Sequence, residues 1–245
     1  MQCYKQLLTL AFVISVSFMT QQSALASITL GGTRFVYGAS DDSLSINVKN
    51  RDKNPYLVQS WISVYTPPGQ ASKKSASVKN DTVKKIPFIV TPPLFKIEAD
   101  ESYVLNIVKT ESLPLPQDRE SVFYLNVKAI PGKVKDKKSS LMISVDSSMK
   151  LFYRPSSLEG ALADAAGQQL TYKQSGSNLV VNNPTAYFVT LYSLAINGVK
   201  IKMPVNSMLD PFGNMSFPAP GSVHTLTWQT LGDQGQISQA KTVSL

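Results

Sequence analysis

Leu141-Met142-Ile143-Ser144-Val145-Asp146-Ser147-Ser148-Met149-Lys150-Leu151-Phe152-Tyr153-Arg154 reads as one long β-strand. Apolar residues take every second position at Leu141, Ile143 and Val145, and cations follow at Lys150 and Arg154, just before Pro155. Alternate residues of a strand share one face. Lys150 and Arg154 therefore look the same way, while the apolar trio has the opposite parity. Periodicity by itself puts that trio in the chain's own core, as on any half-buried strand. An apolar ruler with a cationic end also suits a strand lent to a second polypeptide.

Short alternating runs fill the rest of the chain, separated by Pro, Gly, Asn, Asp and Ser, which is the pattern of many short strands. Leu44, Ile46 and Val48 alternate, as do Tyr103, Leu105 and Ile107, and Val122, Tyr124 and onward to Ile130. Asn54-Pro55 opens a run from Tyr56 to Tyr65 that contains Trp61. Helical spacing is confined to Ser156–Ala166, which follows Pro155, stops at Gly167 and reads as a short helical turn or linker. Before this break lie about seven strand candidates, the number of an immunoglobulin-like sandwich. After it come runs at Gln169–Lys173, Asn178–Val181, Tyr187–Ile196, Val199–Met203 and Thr225–Leu231, with a last segment near Thr242. The expected fold is all-β, with an immunoglobulin-like domain over 27–155 and a second, shorter β-sandwich over 156–245.

Residues 1–26 stand apart. Lys5 precedes an apolar run from Leu7 to Thr20, and Ala24-Leu25-Ala26 supplies a small-x-small cleavage site, the pattern of a secretory signal peptide. The run falls short of the about 20 apolar residues that span a bilayer. Cys3, the single cysteine, would leave with this leader. The exported part would then have no disulfide and no thiol nucleophile, and its core must hold it together. It would keep all 16 acidic residues and every one of the 24 basic residues except Lys5. The positive charge gathers at Lys73-Lys74, Lys84-Lys85 and Lys133 to Lys138, each of which reads as a solvated loop. No stacking pattern of aromatic and basic residues accompanies it, which argues against nucleic acid as a partner.

The residues of an enzyme are missing. His224 is the one histidine, which rules out a His-based metal cluster and leaves no convincing Ser-His-Asp set. Beside the Thr225–Trp228 run it reads as structural. Asp41-Asp42 and Asp100-Glu101 fall among turn residues, and no Gly-rich phosphate loop occurs. Two cations do stand out. Arg34 in Gly32-Thr33-Arg34-Phe35-Val36-Tyr37 and Lys150 in Met149-Lys150-Leu151-Phe152-Tyr153 have apolar strand neighbours. The ordinary reading of each is a snorkelling surface group.

Together these blocks resemble the periplasmic chaperones of chaperone–usher pilus assembly. The run Leu115-Pro116-Gln117-Asp118-Arg119-Glu120-Ser121-Val122-Phe123-Tyr124-Leu125-Asn126-Val127-Lys128-Ala129-Ile130-Pro131 is similar to that family's signature, and Gly132 departs from it. Thr33–Tyr37, Asn54–Trp61, Thr91-Pro92-Pro93 and Lys150–Pro155 match further blocks in the family's order. Asn182–Phe188 and Met208–Gly213 carry the likeness into the second domain, so that it covers essentially the whole mature chain. Gly232-Asp233-Gln234-Gly235 stands where the family usually has Asn-Asp-aromatic-Gly.

The resemblance implies two immunoglobulin-like domains set as a boomerang with a cleft at the bend. Pilus subunits of such systems are sandwiches lacking a last strand, and the chaperone lends its own, a known form of strand addition. It assigns Leu141, Ile143 and Val145 to that donor strand and so to the subunit's groove. Arg34 and Lys150 become the anchor for the subunit's terminal carboxylate. Glu120, Arg154 and Asp233 become an ion network between the domains, and Pro55 and Thr91 approach the usher-facing surface. The short stretch Pro131–Ser140 and the missing cysteine pair are similar to the short-loop branch, which serves rod-like pili. The implied partners are pilus subunits and an outer-membrane usher in the periplasm, with no cofactor and no small-molecule substrate. The competing reading is a secreted immunoglobulin-like pilin or adhesin, which would carry a free N-terminal donor extension and often a disulfide. A carbohydrate-active enzyme on a β-sandwich would need an acid/base pair that the chain does not offer.

Overall fold

The computed structural model describes residues 28–67, 86–110, 114–132, 142–160 and 162–245. The expected leader, the three lysine clusters and Leu141 lie outside the described residues.

The first sandwich is built from β1 (Ile28–Leu30), β2 (Arg34–Gly38), β3 (Leu44–Asn50), β4 (Tyr56–Val64), β5 (Phe88–Thr91), β6 (Leu94–Ile97), β7 (Ser102–Lys109), β8 (Ser121–Pro131) and β9 (Val145–Arg154). One sheet has the order β1-β3-β7-β5 and the other β2-β9-β8-β4-β6. All pairs are antiparallel except β2 with β9. Strands outnumber the seven expected because two runs are cut in the middle. Gly31-Gly32 separates β1 from β2, and Pro92-Pro93 separates β5 from β6 as the chain changes sheet. Proline cannot donate to a ladder, which suits it to that crossing. Ser60 answers both proline carbonyls, its hydroxyl donating to Pro92 O at 2.8 Å and its amide to Pro93 O at 2.9 Å.

The core lies between the sheets: Ile46 and Val48 of β3, Leu105 and Ile107 of β7, Leu151 and Tyr153 of β9 are all buried. On β8 the core parity is Phe123, Leu125, Val127 and Ala129, not the Val122, Tyr124 series that alternation suggested. β8 lies mid-sheet and carries apolar residues on both faces, with Val122, Tyr124 and Ile130 opposite the core, so its parity could not be read from the pattern. β9 also differs from expectation. It begins at Val145, and residues 142–144 have no regular structure.

After β9 come a 3-10 turn (Ser156–Leu158) and a short helix, α1 (Leu162–Ala166), where the sequence suggested a helical linker. The second sandwich contains β10 (Thr171–Ser175), β11 (Asn178–Asn182), β12 (Val189–Ile196), β13 (Val199–Lys200), β14 (Met208–Leu209), β15 (Asn214–Pro218), β16 (Thr225–Leu231) and β17 (Lys241–Ser244). Its sheets are β10-β11-β15 and β13-β12-β16-β17, with β14 also paired to β12. A separate core forms around Leu179, Val181, Leu191, Leu194, Phe217, Leu226 and Trp228, and Leu158 packs against it. Trp228 Nε1 donates to Gly167 O at 2.9 Å and so ties the end of α1 to that core. The sequence reading missed β14 and β15. Asn214, Ser216 and Pro218 disguise β15 as a turn, yet Phe217 is 2% exposed in the core.

Candidate functional site

β9 belongs to two environments. Its odd-numbered residues Met149, Leu151 and Tyr153 face the first core. The same parity continues upstream to Val145 and Ile143, which are 50% and 66% exposed. The core face of the strand therefore outruns its own core. Ile143 and Val145 are not core residues, as periodicity by itself would have had them.

The two edges of the strand differ as well. β8 pairs with β9 from Val145 to Tyr153, whereas β2 covers the opposite edge only from Lys150 to Arg154. Among the described residues, no strand covers that second edge from Val145 to Met149. Unpaired backbone of this kind is a template for another strand.

The open edge ends at the two cations. Arg34 and Lys150 form the first pair of the β2–β9 ladder. Lys150 is half-buried, with Nζ 6.0 Å from the centre of the Tyr65 ring. Among the described residues its ammonium has no hydrogen bond and no ion pair. Burial, with the charge of Arg34, pulls its pKa down to about 8. Arg34 is engaged differently. Nη1 donates to Leu231 O at 3.1 Å and Gly232 O at 2.9 Å, and Nη2 donates to Thr190 Oγ1 at 3.0 Å. Three of the five guanidinium N–H groups thus hold the second sandwich. Burial lowers its pKa, against the pull of Asp233 and Glu120. Arg34 is therefore a tie between sandwiches as well as a candidate anchor. No sequence signal shows this, because two of its acceptors are backbone carbonyls.

The structure brings Glu120, Arg154 and Asp233 together. Arg154 Nε donates to Glu120 Oε1 at 2.8 Å, and Nη1 and Nη2 donate to the two Asp233 oxygens at 2.8 and 3.0 Å. Glu120 and Arg154 are 4% and 7% exposed. Glu120 Oε2 accepts the Phe188 amide at 2.8 Å, and the Glu120 amide donates to Ala186 O at 3.0 Å. Burial raises the pKa of Glu120, opposed by the charge of Arg154 and the Phe188 amide. Burial also works against the charge on Arg154, but Asp233 and Glu120 outweigh it and hold the guanidinium firmly ionised. Asp233 reaches its partner from a turn closed by the Gly235 amide on Gly232 O at 3.0 Å.

A second contact between the sandwiches was not foreseen. Tyr65 OH donates to Asn206 Oδ1 at 3.1 Å, and the Tyr65 and Tyr124 rings lie 5.0 Å apart. Burial, then Tyr124 and Asp210, push the Tyr65 hydroxyl up to about 12. The sequence offered only an aromatic at the end of a strand run. Pro55 and Thr91 lie on separate elements of the first sandwich. Pro55 precedes β4 and accepts the Gly132 amide at 2.9 Å, and Thr91 is exposed at the end of β5. Among the described residues no cluster of three or more His, Cys, Asp or Glu could hold a metal, and no helix is long and apolar enough to cross a membrane.

The site is thus an open strand edge that runs into a cationic junction between two immunoglobulin-like sandwiches. Residues 27–159 match the pili and flagellar-assembly chaperone PapD N-terminal domain, and 165–242 match the pili assembly chaperone PapD C-terminal domain. The chain belongs to this family. It is 34% identical over 227 residues to the chaperone protein LpfB of Salmonella typhimurium, covering 90% of each chain. It is 32% identical over 231 residues to the chaperone protein FimC of Escherichia coli K12, covering 93% of this chain and 88% of FimC. Among solved structures it is similar to a chain of the Salmonella enterica SafA pilin–SafB chaperone complex. The TM-score is 0.73 at 31% identity, over 91% of this chain and 98% of that one.

Proposed function

We propose that this chain is a periplasmic chaperone that binds, folds and caps pilus subunits by donor-strand complementation and hands them to an outer-membrane usher. One observation carries the reading: the apolar parity of β9 leaves its own core at Val145, along an edge that stays open until Lys150. A subunit with a missing strand can pair with that edge and take Ile143 and Val145, with Leu141 beyond them, into its groove. Lys150, with no polar partner among the described residues, and the remaining N–H groups of Arg34 take its terminal carboxylate. That anchor sets the register. A slip of one residue would present Met142, Ser144 and Asp146 instead, placing a carboxylate against apolar walls. The short stretch Pro131–Ser140 before β9 favours membership of the short-loop branch, which serves rod-like pili. Residues 1–26 serve as a cleavable signal for export to the periplasm.

Usher docking falls on the first sandwich, at the surface carrying Pro55 and Thr91, because the subunit occupies the junction during delivery. A Pro55 variant that still captures subunits but fails to export them supports this, and normal piliation by that variant removes it. Co-expression with a candidate pilin tests the whole reading. The wild-type chain is expected to yield a soluble one-to-one complex, and Lys150→Ala little or none. Equal pilin recovery by both overturns the proposal.

A further inference from the structure

Asp100, Asn197 and Phe212 are the described non-glycine residues with positive φ. Asp and Asn tolerate that conformation, whereas for a bulky aromatic it is an outlier that invites a functional reason. Phe212 has φ 58° and is 52% exposed, so burial of its ring does not explain the conformation. The surrounding backbone holds it there. The Phe212 amide donates to Thr185 O at 3.1 Å, the Gly213 amide to Asp210 O at 3.0 Å, and the Asn183 amide to Gly213 O at 2.9 Å. Asn183 Nδ2 also donates to Asp210 O at 2.9 Å, and Thr185 Oγ1 to Asn183 Oδ1 at 2.7 Å.

This scaffold turns the ring toward the first sandwich. Arg119 Cζ lies 5.0 Å from the Phe212 ring centroid, and Arg119 is steadied by its own ion pair with Asp118 at 2.7 Å. Arg119 is followed by Glu120, whose amide and carboxylate engage Ala186 and Phe188. The segment from Asn183 to Phe188 therefore holds Phe212 at one end and receives Glu120 at the other.

We infer that Arg119 and Phe212 are positioning residues: a solvent-facing clasp that sets the relative orientation of the two sandwiches and steadies Glu120 from outside the buried ion network. Its consequence for subunit capture rests on the chaperone reading, but the orientation can be measured in the free protein. Phe212→Gly is the informative variant, because glycine adopts positive φ without strain and only the ring is lost. Its melting temperature should equal or exceed that of the wild type. Residual dipolar couplings should nevertheless show the sandwiches reoriented or more mobile. Capture should fall about two- to fivefold, the size of an exposed cation–π contact. Arg119→Ala should do the same, Arg119→Lys should restore part of the effect, and the double variant should be no worse than either single one. Unchanged orientation in both single variants, or losses that add in the double variant, overturn the clasp. Reorientation with capture untouched upholds the clasp and counts instead against capture at the junction.

Discussion

Lys150 and Arg34 are ladder neighbours, yet their substitutions should differ. Lys150 makes no described polar contact, so Lys150→Ala leaves the free protein folded. It removes a charged hydrogen bond worth about 1.5–3 kcal/mol, and subunit capture should weaken at least tenfold. Arg34→Ala also breaks the bonds to Leu231, Gly232 and Thr190. It should lower the melting temperature of the free protein as well as its affinity, and thermal melts of the two unbound variants check the contrast. Acidity adds a second handle. The pKa of Lys150 lies at about 8 against an ordinary 10.5, so the unfolded chain binds the proton more tightly. This group's contribution to stability therefore rises with pH between those values. The ammonium that a carboxylate needs fades over the same window. Raising the pH through about 8 should weaken capture without destabilising the free chaperone through this group, as parallel binding and melting series would show.

At the scale of the element, β9 joins the two questions. Ile143→Asp falls on an exposed position, so circular dichroism of the free variant should match the wild type while soluble subunit complexes vanish. Met149→Asp has the same parity six residues on, but Met149 is 7% exposed, and a buried unpaired carboxylate there should unfold the first sandwich. If Ile143→Asp also unfolds the free protein, strand donation fails. The alternation around Ile143 was legible, but where the core ends was not, since parity says which face a residue takes and nothing about what lies opposite. β8 failed for a related reason, with apolar residues on both faces. The chemistry of β15 looked like a turn because Asn, Ser and Pro alternate with its buried Phe217. Glu120, Arg154 and Asp233 were named through the resemblance, not through any pattern of charge. The ties of Arg34 and Tyr65 run to acceptors in the second sandwich that no strand pattern places.

For the whole molecule, two separate cores were legible from the single helical break between two series of strands. Their coupling depends on a few side chains. Glu120 is the member of the ion network most sealed from water, and its removal leaves the Arg154 Nε–H and the Phe188 amide without their acceptor, with Asp233 alone to pair the guanidinium. Breaking one partner of a buried pair typically costs ~3–5 kcal/mol. Calorimetry of Glu120→Ala should show the transitions of the two sandwiches lying further apart than in the wild type. Unchanged transitions would mean that the network does not couple them.

The layout of β9 also has a mechanical side. A guest strand paired with the open edge from Val145 to Met149 would lie beside a strand that is itself bonded to β8 along nearly its whole length. Tension along the axis of the guest loads all of its bonds to β9 in parallel, as shear. A lateral pull starting at the free end near Ile143 loads them one after another. Such a joint resists a straight tug and yields to peeling, so a guest would leave far more readily to a competitor that enters at the Ile143 end than to any force drawing it out lengthwise.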